Sequence, residues 1–400
     1  MVKKIRNNLL TFTIFLPLIL TACWDKVELE ERAYVISIGV DRHKAGEKDN
    51  KENKSDDKNK DKKNNNKKDD NKDENYNKED NSSIFAVSMA LPDLSSTGKD
   101  SGTEDVKTAI GKTLYAAIGS TDRFSGKKLY FGHTKLIVLN DEILRDEKLL
   151  RETIDAFERS EQISGRTIVL STKDKAKEIL ETNPPAESRV GMFVTSFYRS
   201  GHNTAGTSFK QDLTKTIKEL RSKESTIIPQ VKLKGKELEI GGGALISNFK
   251  LSKWLTEDET RGYLWTKGQA AGATVEVNID GTFLPLKVNK NNSRTSFTKI
   301  NDMVICQTDI KVEGSIESFV FGKNPGESVG LQELEKQYEN LIFDEIIKAD
   351  KIINLLEFEL LDEMRRKSSS LYDYYNTGEK DALATWNVNV KITGTGDLVL

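Results

Sequence analysis

The stretch Lys135-Leu136-Ile137-Val138-Leu139 is an unbroken apolar run at the heart of a strand predicted over 129–140. A run without polar alternation suits a strand covered on both faces. Helical spacing follows over 142–157, then a short strand, Thr167-Ile168-Val169-Leu170, and a helix over 173–181 that Ser171 or Thr172 can cap. Pro184-Pro185 ends it. Upstream, Ala33 to Asp41 reads as a strand, and Ile84 to Ala90 as another. Val106, Ile110, Leu114 and Ile118 recur at helical spacing and predict a helix over 105–118. Alternation of strand and helix from Ala33 to Asn183 indicates one α/β unit.

Between the first two strands lies Lys44 to Ser82, almost all Lys, Asp, Glu and Asn, with about 12 lysines against about 12 acids. Such a near-neutral polyampholyte has too little apolar surface to offset its ordering entropy, so disorder is expected. The simplest reading is a β-hairpin with an expanded loop, because loop-closure cost grows only logarithmically with length.

Downstream, 192–198 and 209–220 read as helices, and Ile227 to Leu255 as short strands around Gly241-Gly242-Gly243. Strands are predicted at 273–279, 283–288, 294–300 and 303–316, then a long helix at about 330–367, and a last strand from Trp386 to Thr393. On the long helix Ile342, Ile346, Ala349, Ile353, Leu356, Leu360 and Met364 form a stripe expected to pack on the neighbouring sheet. Trp254 and Trp265 are expected in the core.

The N-terminus carries Lys3, Lys4 and Arg6, then apolar residues from Leu9 to Leu20, closed by Leu20-Thr21-Ala22-Cys23. About 12 apolar residues are too few to span a bilayer and fit a signal peptide. Cysteine directly after Ala22 resembles a bacterial lipobox, with cleavage between Ala22 and Cys23 and a lipid on the Cys23 thiol. The chain holds 2 cysteines. Cys306, in Met303-Val304-Ile305-Cys306, reads as a small buried strand residue.

Charged residues make up 31% of the 400, yet the formal net charge is -2, which argues against nucleic acid as a partner. The three histidines, His43, His133 and His202, have no ligand-spaced neighbours, so no metal site is expected. Gly111-Lys112-Thr113 lacks the first glycine of a P-loop, because Val106 stands there. The triple glycine lacks the sixth-position glycine of a dinucleotide loop, Ile246 standing in its place. Asp57 to Asp61 lacks the glycine of a calcium loop, and no Gly-x-Ser-x-Gly elbow is present. No catalytic residue and no cofactor beyond the lipid are expected.

Several stretches together resemble one family. Cys23-Trp24-Asp25-Lys26-Val27-Glu28-Leu29 looks like the start of mature GerC-type (Ger(x)C) lipoproteins, the C subunits of spore-germination nutrient receptors. Tyr130-Phe131-Gly132-His133-Thr134-Lys135, Lys175 to Leu180, and Gly243 to Ile246 followed by Trp254-Leu255 and Glu259-Thr260-Arg261-Gly262-Tyr263-Leu264-Trp265 fit in the same order. The 44–82 insertion and a short tail after Ser370 depart from the family pattern. The resemblance implies an α+β fold of three mixed domains, each a small, mostly antiparallel sheet with packed helices, the last holding the long helix. Their expected limits are 23–190, 191–265 and 266–400, after a signal peptide at 1–22. It also implies a non-catalytic subunit on the outer face of the spore inner membrane, beside integral-membrane A-type and B-type subunits, with a nutrient ligand possible. The alternative is a solute-binding lipoprotein of a transporter. Candidate partner contacts are Trp24, His133, Glu259 and Arg261. For His133 the structural reading, a hydrogen bond, outweighs a ligand contact. For Glu259 and Arg261 a salt bridge or a helix cap outweighs a partner contact.

Overall fold

The computed structural model describes residues 32–43, 84–92, 104–120, 126–184, 187, 189–199, 206–279, 281–316, 330–377 and 380–394. The signal peptide, Cys23, Trp24, the 44–82 insertion and His202 lie outside them.

The order is β1 Arg32–Tyr34, β2 Ser37–His43, β3 Ile84–Pro92, β4 Glu104–Gly111, α1 Leu114–Ser120, β5 Lys128–Tyr130, β6 Leu136–Asn140, α2 Asp141–Arg145, α3 Glu147–Glu158, β7 Ile168–Thr172, α4 Ala176–Leu180 and α5 Val190–Arg199. Then come α6 Leu213–Lys223, β8 Thr226–Lys234, β9 Glu237–Ser247, β10 Lys250–Leu255 and α7 Glu257–Lys267. The last part has β11 Thr274–Ile279, β12 Thr282–Ile300, β13 Met303–Ile316, α8 Leu331–Ile353, a π-helical turn Leu356–Leu360, α9 Leu361–Lys367, α10 Ser369–Asn376 and β14 Asp381–Gly394.

The chain is a mixed α+β protein. Its largest sheet has eight strands in the order β10-β9-β8-β7-β6-β2-β3-β4, with β2, β6, β7 and β8 pairing in parallel. The run Leu136–Leu139 is wholly buried because both faces of β6 are covered. Ile137 and Leu139 pack with α2, α3 and α6 residues such as Leu144, Leu150 and Leu220. Leu136 and Val138 pack on the other side with Ala176, Ile179, Val190 and Val194 of α4 and α5. β2 and β3 pair antiparallel, Ser37↔Ala90 to His43↔Ile84, so the strands flanking the charged insertion form the expected hairpin.

α5 spans 190/191, and β8 to β10 join the large sheet through the Ser171↔Gln230 pairing. Outside its parallel centre the large sheet pairs antiparallel, as β11, β12 and β13 do in the second sheet. Three sequence readings need correction. First, 105–118 is not one helix. β4 pairs with β3, and Ser88 Oγ meets Thr108 Oγ1 at 2.9 Å. Ile110, expected on an apolar helical face, is 42% exposed. Second, the long helix is broken. Asn354 takes a left-handed conformation with φ 54°, its N–H closing on Asp350 O, and the Asp350 carboxylate accepts Leu355 N–H at 2.9 Å. Asparagine at this position is a common helix stop. Third, α4 is capped by neither Ser171 nor Thr172. The buried carboxylate of Asp41, on β2, accepts Ala176 N–H at 2.8 Å and Lys177 N–H at 3.0 Å.

The second sheet, β11-β12-β13-β14, is covered on one face by α7 and α8, with Leu286, Ile310 and Val390 meeting Tyr338, Ile342 and Ile346. The apolar stripe of the long helix thus packs on the neighbouring sheet as expected. β14 joins β13 in parallel, Met303 opposite Asp381. Glu339 and Glu335 of α8 accept the Val390 and Ile392 N–H groups at 3.2 and 3.0 Å.

Where β4 begins, Glu104 lies among buried groups beside Arg189, just ahead of α5. Burial raises its carboxyl from 4.5 to about 7, against a smaller opposing effect of Arg189. The folded chain therefore holds this proton more tightly than the unfolded chain does. The stability tied to this proton should be fully present below pH 4.5 and be lost as pH rises through about 7. Denaturant melts across that range should show this slope in the natural chain and lose it in Glu104→Gln. Equal slopes in both proteins would exclude Glu104 as its source.

Candidate interaction surface and the helix crossing behind it

The motif Tyr130–Lys135 forms a tight connection between β5 and β6. β1 and β5 are parallel, with Arg32↔Lys128, Ala33↔Leu129 and Tyr34↔Tyr130 as partners. Val35 N–H donates to Tyr130 O at 3.0 Å and Lys135 N–H to Ile36 O at 2.8 Å, which locks the connection to the chain entering from the N-terminus. The buried Thr134 hydroxyl donates to Val35 O at 3.1 Å.

This backbone frame brings three rings together. Tyr34 and Tyr130 meet edge to face at 5.6 Å, and the exposed His133 ring lies 5.2 Å from Tyr34 and 5.7 Å from Tyr130. Arg32 sits over the Tyr130 ring at 4.9 Å. A Cβ on Gly132 would come within 2.7 Å of the Tyr130 ring, so this position needs glycine for the ring to fold back. His133 is therefore held by ring contacts, on a surface that continues directly from the chain's N-terminal side.

Glu259 and Arg261 are engaged within the chain, and not with each other. Glu259 closes a capping box at the start of α7. Its carboxylate accepts Thr256 N–H at 2.8 Å, and its own N–H donates to Thr256 Oγ1 at 3.2 Å. It also pairs with Lys253 at 2.9 Å. Arg261 forms a two-pronged ion pair with Glu345 of α8, with Nε 3.0 Å from Oε2. Its side chain is 13% exposed and that of Glu345 11%. Trp265, one turn on, donates its indole N–H to the same Glu345 Oε2 at 2.8 Å. The next face of α7 repeats the device: Tyr263 and Lys267 donate to Glu359 of the π-helical turn at 3.0 and 2.7 Å. Between the two sets Gly262 lets the helices touch. A Cβ there would overlap the Glu345 carbonyl and stand 2.8 Å from Ala349 Cβ.

Trp265 is fully buried, as expected, whereas Trp254 is half-buried and donates to Asp141 Oδ1 at 2.8 Å. Cys306 is buried, and burial, reinforced by Glu363, raises its thiol to about 11. It is held as the neutral thiol at physiological pH. Among the described residues no group of three or more His, Cys, Asp or Glu could hold a metal ion. Sequence reasoning missed Glu345 and Glu359. One acid among 63 carries no local mark of a partner 84 or 92 residues away.

The described chain is a mixed α+β protein with an aromatic surface motif beside β1 and a charge-locked crossing of α7 and α8. The chain matches the spore germination protein N-terminal domain over residues 67–233 and the spore germination B3/GerAC-like C-terminal domain over 241–396. It belongs to this family of spore germination proteins.

Three relatives are from Bacillus subtilis (strain 168). Spore germination protein YndF is 23% identical over 354 residues, 85% of this chain and 83% of that protein. Spore germination protein KC is 20% identical over 420 residues, 97% and 94%. Spore germination protein A3 is 22% identical over 279 residues, covering 69% of this chain and 65% of that protein. Among solved structures the GerBC protein aligns with a TM-score of 0.48 at 15% identity, over 79% of this chain and 96% of that one.

Proposed function

We propose that this chain is a lipid-anchored, non-catalytic subunit of a nutrient germinant receptor on the outer face of the spore inner membrane. The observation that carries the reading is the ordered match of both germination domains, over 67–233 and 241–396, behind a basic, apolar leader that ends in Cys23. Cys23 carries the lipid after cleavage behind Ala22. No described helix is long and apolar enough to cross a membrane. In this reading attachment rests on the acyl chains. Their burial contributes about 0.8 kcal/mol per CH₂, and two or more chains hold a protein stably. The lipid is the sole attached group in this reading. Partners are the integral-membrane A-type and B-type subunits, and tethering raises their effective concentration so that modest contacts suffice. His133, with Tyr34 and Tyr130, offers the partner contact nearest the anchor, and Trp24 lies at the bilayer interface.

Cys23→Ala should move the protein from the membrane to the soluble fraction in cells that lack the two integral subunits. Unchanged membrane retention there would overturn the lipid anchor. Gently solubilised spore membranes should yield the natural chain together with two polytopic proteins, and a chain that purifies alone would count against a receptor subunit.

A further inference from the structure

The second sheet ends on β14, and the two halves of its outer edge differ. In a strand paired on one side, alternate residues turn both N–H and C=O to the neighbour, and the others turn both away. Val390 and Ile392 point away from β13, since Glu339 and Glu335 of α8 accept their N–H groups. The pairing with β13 runs without a shift from Met303↔Asp381 to Gly314↔Ile392, so the outward set continues through Val388, Trp386, Ala384 and Ala382. Among the described residues, the outward backbone groups of these positions have no hydrogen-bond partner.

The open stretch, Ala382-Leu383-Ala384-Thr385-Trp386-Asn387-Val388, has no charge, no proline and no bulge, the usual devices that keep a sheet edge from pairing. The end strands elsewhere in the two larger sheets are charged: β10 carries Lys250 and Lys253, β4 Asp105 and Lys107, and β11 Glu276. The helix beside the edge changes character at the same point. Glu335, Glu339 and Phe343 lie four apart on α8 and so share one stripe. Four helix residues advance about 6 Å and two strand residues about 6.6 Å, which sets Phe343 level with Val388. Phe343 is 40% exposed. Carboxylates thus cover the edge as far as Val390, and an exposed aromatic ring stands where that cover stops.

The open span fits a second copy of itself. Its outward residues are centred on Thr385, so two β14 strands can pair antiparallel about a two-fold axis at that residue. Ala382 then bonds Val388 of the second copy, and Ala384 bonds its Trp386. Thr385 stands opposite Thr385, a favourable cross-strand pair. Asp381 faces Asn389, so no like charges meet across the pair. The carboxylates on Val390 and Ile392 stop a longer register. We propose that the free half of β14 is a self-association edge, through which two copies join their four-stranded sheets into one continuous sheet. The pairing depends neither on the lipid nor on the membrane subunits.

The test uses the full chain with Cys23→Ala, which removes the lipid site and leaves the buried Cys306 as the remaining native thiol. Thr385→Cys should form an intermolecular disulfide at least about tenfold faster than Glu276→Cys on β11. Non-hydrogen-bonded antiparallel partners stand about 4.5 Å apart, within disulfide reach, and pairing raises the local thiol concentration. Equal rates would overturn the edge pairing. With Thr385 in place, the chain should sediment as a dimer. Thr385→Lys sets two ammonium groups face to face and should leave a monomer with an unchanged far-ultraviolet dichroism spectrum. A dimer that survives Thr385→Lys would exclude this edge. A chain that sediments as a monomer throughout the micromolar range would also sink the proposal and would leave the edge to a strand of another protein.

Discussion

Glu345→Ala should lower the stability of the chain by about 3 kcal/mol, because breaking one side of a buried ion pair leaves the other charge uncompensated. The Arg261 side chain is only 13% exposed, so solvent screens little of the loss. Trp265, fully buried, loses the acceptor of its indole N–H in the same step. Arg261 would keep only the exposed Asp258 contact at 2.9 Å. Glu345→Gln should cost less, since an amide oxygen still accepts from Trp265 while the ion pair is gone. Guanidinium melts followed by near-ultraviolet dichroism report on the tryptophan environment directly. An unchanged midpoint for the alanine variant would show that the pair contributes no net stability.

The second large effect is expected at Gly262, where two terms oppose each other. Alanine favours a helix over glycine by about 1 kcal/mol. Against that, the added methyl would overlap the Glu345 carbonyl and crowd Ala349 Cβ at 2.8 Å. The first obstacle is backbone and cannot rotate aside, so the helices must separate, at a cost of about 3 kcal/mol. Gly262→Ala should therefore be destabilising overall, by about 2 kcal/mol once the propensity gain is counted. A Cβ on Gly119 in α1 meets nothing within 4 Å, so Gly119→Ala supplies the control and should be neutral or stabilising. If both variants melt together, close approach at the crossing is not what requires glycine. Because Gly262 and Glu345 touch, the double variant should be less destabilised than the sum of the two.

The elements that could be read from sequence were those whose partners do not matter to their pattern. Leu136 to Leu139 is apolar whatever covers it, and two faces of helices do cover it. The hairpin across the charged insertion could be read because both of its strands are dense in β-branched or apolar residues. β4 could not. Val106 and Ile110 are four apart, which suits a helix, yet this strand is settled by pairing with β3 and by Thr108 meeting Ser88. The break at Asn354 had a local signal, an asparagine followed by an acid-rich turn, but the apolar stripe continued past it and hid the stop. Glu259 and Arg261 show the same limit at the candidate site. Their chemistry as charged helix residues was readable. That one faces its own helix start and the other a glutamate 84 residues on is a product of tertiary packing. Asp41, which caps a helix 135 residues away, is a further case.

The parallel pairing of β14 with β13 has a consequence for how the protein is made. Met303 pairs with Asp381, so the second sheet gains its closing strand only after residues 381–394 have been synthesised. Until then the N–H and C=O groups on one edge of β13 have no neighbour, the kind of edge that invites pairing between chains. Glu335 and Glu339 meet the same hazard on the finished molecule's outer edge, since they accept Val390 and Ile392 N–H groups that a second chain would otherwise claim. A nascent copy stalled short of Asp381 should thus be far more prone to self-association than one that includes residues 381–394, which makes the synthesis of β14 the critical interval for producing this sheet intact.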